Sequence, residues 1–380
     1  MNYSYRIING TVVDPATGRN GPGEIYIRNS RIVPGDAEGE AAETVDASGC
    51  LVLPGLIDFH THLDRAHSDL GIHPDLMTLP NGVTAAVDAG SGGTANFEGY
   101  LKDVACATDI TTKSYVNVAA TGIITEQYFE NPDPALYDTD RLEYLFERYR
   151  DDILGLKVRI GKLFSKEFGL QPLLAAKKLA RRLGTTVCLH AVHPEQSYDE
   201  ILPELERNDV LCHCFQARGE YSILDDAGRV RPAARAARER GVIFDAASGR
   251  ANYSYDIARK TLADGFMPDV ISTDVVTHSM YKPKVFSLPY VMSGYLALGM
   301  PLEEVVRAVT QTPARLMGLE GRIGTLAPGA MADVAIFKLR ERPLTFRDQF
   351  GHSVDGAGLL APQMTIQAGR TAYMNIEFAF

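Results

Sequence analysis

Short apolar segments recur along the middle of this 380-residue chain, each followed by a stretch with helical periodicity. They start roughly every 24 to 39 residues, which is the spacing of β-α units. Eight are predicted as strands: 56–60, 83–88, 114–120, 153–159, 186–190, 210–213, 242–245 and 270–273. Eight units over about 250 residues predict the α/β class and a (β/α)8 TIM barrel. A doubly wound parallel sheet is the alternative.

Helix signals between these segments support the alternation. Residues 172–183 begin at Pro172, which suits a first helical turn, and end before Gly184. Residues 232–240 end before Gly241 in the same way. A further helical segment is predicted over 301–319.

Short strands and turns flank the β-α region at both ends. Residues 1–53 are punctuated by turn signals such as Asp14-Pro15. After residue 321 the pattern of short strands and turns returns, with strand-like runs at 333–337, 363–367 and 372–378. We therefore expect a barrel domain over 54–320, and a small β-sandwich domain built from 1–53 and 321–380.

The composition argues against several classes of partner. A formal net charge of −10 disfavours a nucleic acid or an anionic membrane, either of which attracts a basic surface. No secretory signal is visible, and no apolar run reaches the ~18 residues of a membrane helix. Five cysteines spread over the chain do not suggest a disulfide framework. We expect a cytoplasmic protein with a small-molecule substrate, and a homo-oligomer is left open.

Histidine, lysine and aspartate side chains occupy the ends of five predicted strands. They are His60, His62, Lys157, His190, His213 and Asp274. In a TIM barrel these ends converge on the face that carries the active site. Residues two apart on a strand, such as His60 and His62, point to the same side. Imidazole and carboxylate ligands predict a site for zinc or a similar first-row metal.

Three cysteines lie beside these histidines. Cys212 and Cys214 flank His213, and alternation along a strand should direct both away from the barrel interior, under the helices. Cys188 shares the parity of His190 and is kept as a neighbour of the site.

Several motifs resemble those of the amidohydrolase superfamily along nearly the whole chain. Residues 54–62, PGLIDFHTH, are similar to its opening motif, and residues 312–333 to its return to the β domain. Residues 155–159, GLKVR, resemble the lysine motif of the binuclear, dihydroorotase-like branch. Residues 88–97 and 271–274 resemble the amidohydrolase/deacetylase group, which includes acetyl-(R)-mandelate esterases.

The resemblance implies a centre with two divalent metal ions, expected to be Zn²⁺. The first ion would be held by His60, His62 and Asp274. The second would be held by His190 and His213, and Lys157, as a carbamate formed with CO₂, would bridge both. The metals would generate a hydroxide that attacks the substrate carbonyl. Asp274 would accept the hydroxide's proton and pass it to the leaving group.

Substrate contacts are predicted from residues near this centre. Arg159 shares the parity of Lys157 and would suit a substrate carboxylate, with a structural ion pair as the alternative. Residues 245–255, DAASGRANYSY, depart from the group's usual Asp-x-Gly-His-Gly-like stretch, because Ser248 stands where histidine is expected. Arg250 and Tyr253 are further predicted contacts on this loop.

The function expected from these observations is metal-dependent hydrolysis of an amide or ester, with deacetylation favoured. A cyclic amide hydrolase of the dihydroorotase or hydantoinase type is the alternative, followed by a purine deaminase. A catalytically inactive scaffold would be expected to have lost ligands, and all six positions are filled.

Overall fold

The computed structural model describes residues 3–35 and 40–379. In chain order the strands are β1 (Tyr3–Asp14), β2 (Arg19–Arg28), β3 (Arg31–Val33), β4 (Ala41–Asp46), β5 (Leu51–Pro54), β6 (Leu56–Thr61), β7 (Val83–Asp88), β8 (Thr111–Asn117), β9 (Ile153–Ile160), β10 (Thr186–Ala191), β11 (Val210–Cys212), β12 (Ile243–Phe244), β13 (Val334–Arg347), β14 (Ser353–Gln367) and β15 (Arg370–Met374).

Helices follow most strands of the middle region. They are α1 (Pro74–Thr78), α2 (Phe97–Asp103), α3 (Thr139–Arg148), α4 (Gln171–Leu183), α5 (Tyr198–Ile201), α6 (Pro232–Glu239), α7 (Tyr255–Ala263), α8 (Leu288–Ala297), α9 (Leu302–Ala308), α10 (Gln311–Leu316) and α11 (Ile376–Ala379). The prediction for α4 is confirmed to within one residue, and Gly184 adopts the left-handed φ of 64° that ends the helix. Within the described ranges, no helix is long and apolar enough to cross a membrane.

A parallel sheet in the order β12-β11-β10-β9-β8-β7-β6 forms the centre of the molecule. Its seven strands match seven of the eight predicted ones. The eighth predicted segment, 270–273, is not a regular strand, but it and the two residues after it make single parallel bridges on both sides: Asp245 to Val270 and Thr61 to Val275. The sheet therefore curls, and residues 270–275 join its two edges.

Apolar residues of this sheet separate into two cores. Along β9, Leu156 and Val158 belong to the large core that also contains the buried faces of the helices. Phe59, Tyr115 and Val210 belong to a second cluster on the inner face of the curled sheet. Because side chains alternate along a strand, the inner-face positions of β9 are left to Lys157 and Arg159, which line a cavity.

Both ends of the chain contribute to a second sheet. Its order is β15-β14-β13-β5-β1-β2-β3, with β4 paired to β1, so β13 from one end is antiparallel to β5 from the other. It has its own core, which includes Val12, Val52 and Ile336. The strands hydrogen-bond as a single sheet, so their order does not show the two stacked sheets of the predicted β-sandwich.

Two predicted elements near the carboxyl end are wrong in extent. The segment predicted as one helix over 301–319 is broken into α9 and α10, with the break at Val309 and Thr310. Pro313 lies in the first turn of α10, where a missing N–H costs nothing, so it favours a new helix start. The predicted strand over 372–378 ends at Met374, and α11 follows it.

We expect the tie between β6 and the joining segment to contribute to stability. The buried Asp58 carboxylate accepts hydrogen bonds from Thr273 N (3.0 Å) and Thr273 Oγ1 (2.7 Å). Burial raises the pKa of Asp58 to about 7, so the test belongs at pH 8, where the carboxyl is mostly ionised. Thr273→Val should lower the free energy of unfolding by about 1–3 kcal/mol, measured by urea denaturation.

Thr261→Val is the matched control for this prediction. The Thr261 hydroxyl is also buried, but it donates to Ile257 O within its own helix (2.6 Å). Its removal should change stability by only about 0.5 kcal/mol. Equal losses in the two variants would contradict a special role for the tie to Asp58.

Candidate metal centre

A cavity of about 280 Å³ opens at the carboxyl ends of the parallel strands. All six predicted metal ligands line it: His60, His62, Lys157, His190, His213 and Asp274. They come from β6 and the residue after it, from β9 and β10, from the residue after β11, and from the segment that joins the sheet edges. The structure thus brings together residues up to 214 positions apart (60 to 274).

One side of the cluster consists of His60, His62 and Asp274. Asp274 Oδ1 lies 3.3 Å from His62 Nε2 and 3.6 Å from His60 Nε2. The possible ligand atoms of the three residues all lie within 4.8 Å of one another, which allows them to hold a metal ion. Asp274 has a φ of 51°, and a Cβ at Gly249 would lie 2.5 Å from its Oδ2, so a glycine there leaves room for the carboxylate.

The other side consists of His190, His213 and Lys157. The rings of His190 and His213 are 4.6 Å apart, and the His213 ring is 5.2 Å from that of His60, which links the two sides. His213 Nδ1 donates to Ala247 O (2.7 Å), so its Nε2 is left as the ligating atom. His190 Nε2 is buried without a hydrogen-bond partner among the described residues.

Two residues that the sequence analysis did not single out orient the histidines of β6. Asp245 Oδ2 lies 3.2 Å from His60 Nδ1, and its other oxygen accepts from Ser272 Oγ (2.6 Å). Ser91 Oγ lies 2.8 Å from His62 Nδ1. Both contacts leave Nε2 free to face the cavity, the usual support for a metal-ligating imidazole. The signal for Asp245 was its place at the end of a predicted strand.

The protonation states also suit a metal. Burial lowers the pKa of His60 and His190 well below the ordinary value, and lowers the pKa of His213 to about 3. Burial alone would raise the pKa of Asp274, but the hydrogen bond with His62 and the nearby imidazoles outweigh it and hold that pKa below its usual range. Neutral imidazoles and an ionised carboxylate are the forms that bind metal ions.

Most of the chain is similar in sequence to known proteins. A model described as the amidohydrolase family matches residues 51–371. The chain belongs to the amidohydrolase family. A deacetylase of Agrobacterium fabrum is 34% identical over 310 residues, covering 81% of this chain and 75% of that protein. This relationship makes the chain a hydrolase.

Solved structures agree on the fold of this amidohydrolase. The crystal structure of a dihydroorotase has a TM-score of 0.88 and 30% identity, covering 98% of this chain and 99% of that one. The crystal structure of an adenine deaminase has a TM-score of 0.88 and 28% identity, covering 98% of this chain and 100% of that one. These similar proteins carry names for different reactions, so the substrate has to be argued from the site.

The position of Lys157 is unusual for a lysine. Its side chain is 1% exposed, and the polar atoms near Nζ are Cys188 Sγ (3.8 Å) and Cys212 Sγ (3.9 Å). No carboxylate among the described residues lies within ion-pair distance of it. Burial alone would lower the pKa of Lys157, but the neighbouring Cys188 and Cys212 sulfurs and Asp274 outweigh burial and raise that pKa above its ordinary value.

The prediction for Cys212 is wrong. Its Sγ lies 3.1 Å from Cys188 Sγ on the inner face of the curled sheet, under Lys157, and not under the helices. The prediction assumed strand alternation through His213, but His213 has a φ of 57° and leaves the strand. Cys212 and His213 can therefore both face inward. Cys214 does belong to the outer core, and Cys188 is a site neighbour, as expected.

The predicted substrate contacts have three different surroundings. Arg159 lines the cavity, but its guanidinium is paired with Glu130 and lies over the Phe164 ring (4.3 Å), which is the alternative considered for it. Arg250 also lines the cavity and is paired with Glu126. The prediction that Tyr253 contacts the substrate is wrong. Tyr253 is buried against Tyr255 and does not line the cavity, because the loop turns inward at the start of α7.

The contact between Asp245 and His60 gives a testable prediction. In Asp245→Asn, the oxygen is a weaker acceptor, and an amide N–H facing Nδ1 would move the ring proton to Nε2. Metal affinity, measured by competition with a chelator, should fall by about 10- to 100-fold.

Asp333→Asn is the control for this variant. Asp333 is equally buried but directly precedes β13 of the second sheet, where it accepts from Ala368 N (2.8 Å). It should leave metal affinity unchanged. If Asp245→Asn bound metal as tightly as the parent protein, Asp245 would have no part in orienting His60.

Proposed function

We propose that this amidohydrolase is a binuclear, metal-dependent deacetylase that hydrolyses the amide or ester bond of a small acyl compound bearing a carboxylate. The observation that carries the proposal is the cluster, in a single cavity, of four histidines, one aspartate and one buried lysine that has no carboxylate partner among the described residues. The deacetylase relative supports the choice of reaction. A cavity of about 280 Å³ favours a small substrate.

The residues fit two divalent ions of the zinc type. His60, His62 and Asp274 would hold one, and His190 and His213 the other. Lys157 lines the same cavity as the two groups of ligands, and as a carbamate it would offer two anionic oxygens where an ammonium offers only donors. Metal ions bound there would polarise the substrate carbonyl and lower the pKa of the attacking water toward roughly 7.

The chain's own residues handle the proton and the substrate. Asp274, at the cavity wall and ionised, is the general base that accepts the proton of the attacking water. It then returns this proton to the leaving nitrogen or oxygen as general acid. Phe129, Phe164 and Val276 line the same cavity and exclude bulk water from the acyl group.

The architecture that serves this reaction is proposed to be a (β/α)8 barrel. Residues 270–275 take the place of the eighth strand, since they bridge both edges of the parallel sheet. The barrel would span 54–320, with 1–53 and 321–380 forming the β domain, folded as a small sandwich. The separate core of the second sheet supports this division.

A cyclic amide hydrolase is the second candidate. The similarity to the dihydroorotase structure favours it, and the same centre would open a ring amide as readily as a linear one. A purine deaminase, as in the similar adenine deaminase structure, is a third reading. A scaffold without activity is disfavoured because all six ligand positions are filled and converge.

Metal analysis and a hydrolysis screen test this proposal together. Protein grown with zinc and bicarbonate should contain about two metal ions per chain. It should hydrolyse members of a panel of N-acetyl-amino acids, O-acetyl-hydroxy acids and cyclic ureides in both stereochemical series. Hydrolysis of the ureides alone would favour the cyclic amide hydrolase. Fewer than about one metal ion per chain, without hydrolysis, would favour the scaffold.

Asp274→Asn tests the proton transfer. The amide keeps one oxygen for the metal but cannot accept a proton, so metal content should stay near normal while kcat falls by about 10²- to 10⁴-fold. Metal content by elemental analysis and kcat on the same preparation distinguish the two roles. Normal metal content with full activity would remove Asp274 from the proton transfer.

A further inference from the structure

Three arginines line the cavity, and two of them are already neutralised. Arg159 forms an ion pair with Glu130, and Arg250 forms one with Glu126. Arg218, on the connection after β11, also lines the cavity and is partly buried. Across residues 3–35 and 40–379, no acidic side chain lies within ion-pair distance of Arg218.

The hydrogen bonds of Arg218 hold its side chain in place with neutral groups. Its Nε donates to Ala251 O (2.9 Å), and one terminal nitrogen donates to Gln349 Oε1 (3.2 Å). A guanidinium has five N–H donors, so three remain after these two bonds. The donors that are left have the planar geometry that matches a carboxylate.

The backbone that carries Arg218 is also fixed. Gln216 is fully buried, and its Oε1 accepts from Arg218 N (2.8 Å) and His193 N (3.3 Å). Gly219 follows with a φ of 78°, and a Cβ there would lie 2.2 Å from the His193 ring. The connection after β11 is therefore packed closely on the one after β10. Arg218 has the support expected of a binding residue and not of a mobile surface arginine.

We propose that Arg218 is the anion-binding residue of this cavity and determines specificity for a substrate carboxylate. The inference rests on the proposed function for the reaction and adds the residue that recognises the acid. A single unpaired guanidinium matches a monoanionic carboxylate, whereas the charges of Arg159 and Arg250 are balanced by their partners. These two arginines shape the wall, and Arg218 supplies the net positive charge.

The test compares acids with their primary amides. N-acetyl-amino acids and O-acetyl-hydroxy acids found in the screen are assayed beside the corresponding carboxamides, which have the same shape and no charge. In Arg218→Met, kcat/KM for the acid should fall by about 10- to 100-fold, mainly through KM, since a charged hydrogen-bonded pair is lost. The amide should change by less than about threefold. Arg218→Lys keeps the positive charge but loses the planar pair of N–H donors, so its kcat/KM for the acid should lie between those of the parent protein and Arg218→Met.

Arg229→Met is the matched control. Arg229 lies on the same connection, outside the cavity and mostly exposed, so this variant should leave the preference for acids unchanged. Equal losses on acid and amide in Arg218→Met would assign Arg218 a structural role only. An unchanged preference in both Arg218 variants would also overturn the inference.

Binding measured where turnover is slow separates this inference from the proposed reaction. The same acids and amides are titrated by calorimetry into protein carrying Asp274→Asn, with and without Arg218→Met. If the parent protein hydrolyses none of these compounds but acids still bind through Arg218, the proposed reaction is refuted and the inference about Arg218 stands. If the parent protein hydrolyses them but acid and amide bind with equal affinity, the proposed reaction stands and the inference about Arg218 is refuted.

Discussion

Parallel hydrogen bonding from β6 to β12 brings the carboxyl ends of distant segments to one edge of the sheet. Every side chain of the metal centre starts from this edge or from the residues just beyond it. The edge is closed by backbone bonds: Asp274 N donates to His60 O (2.7 Å), and His62 N lies 3.3 Å from Val275 O. The centre therefore depends on residues 270–275 staying against β6. The buried Asp58 carboxylate, which binds Thr273, reinforces that contact.

Strand alternation explains part of the site, and its failures explain the rest. On β9 and β10, Lys157 and His190 are positioned by alternation, and the sequence is enough to predict them. His213 and Asp274 both have positive φ values, so each points into the cavity by leaving the strand path. Such a φ is uncommon for residues other than glycine and is not visible in a sequence pattern. The wrong prediction for Cys212 follows from this. Strand alternation is interrupted at His213, so the direction of the His213 side chain does not determine the direction of the Cys212 side chain.

The strands of the parallel sheet are predicted from periodicity, and the candidate ligands are predicted from the residue types at strand ends. Both are local signals. The partners of those residues are not local. Asp245 contacts His60 across 185 positions, and Arg159 meets Glu130 from a connection with no regular pattern. A sequence does show that Asp245 ends a strand, but not which imidazole it supports. It shows that Arg159 lies on the inner face of β9, but not that the Arg159 guanidinium is already paired with the Glu130 carboxylate. The long hairpin of β13 and β14 was likewise visible only as two short strand-like runs.

That hairpin of the second sheet supports two residues of the cavity wall, Arg218 and Ala251. Its turn, residues 348–352, lies against the loop that precedes α7: Asp348 Oδ2 accepts from Tyr255 N (2.8 Å), and His352 Nδ1 is 3.3 Å from Ser254 Oγ. Gln349, on the same turn, contacts both Ala251 O and the Arg218 side chain. The hairpin is held to the central region at Leu360, whose N–H donates to Ser293 Oγ on α8 (3.0 Å). The candidate metal ligands are thus positioned by the parallel sheet, whereas the position of Arg218 depends on the carboxyl-terminal hairpin. Changes to the turn should therefore move Arg218 while leaving the candidate metal ligands in place.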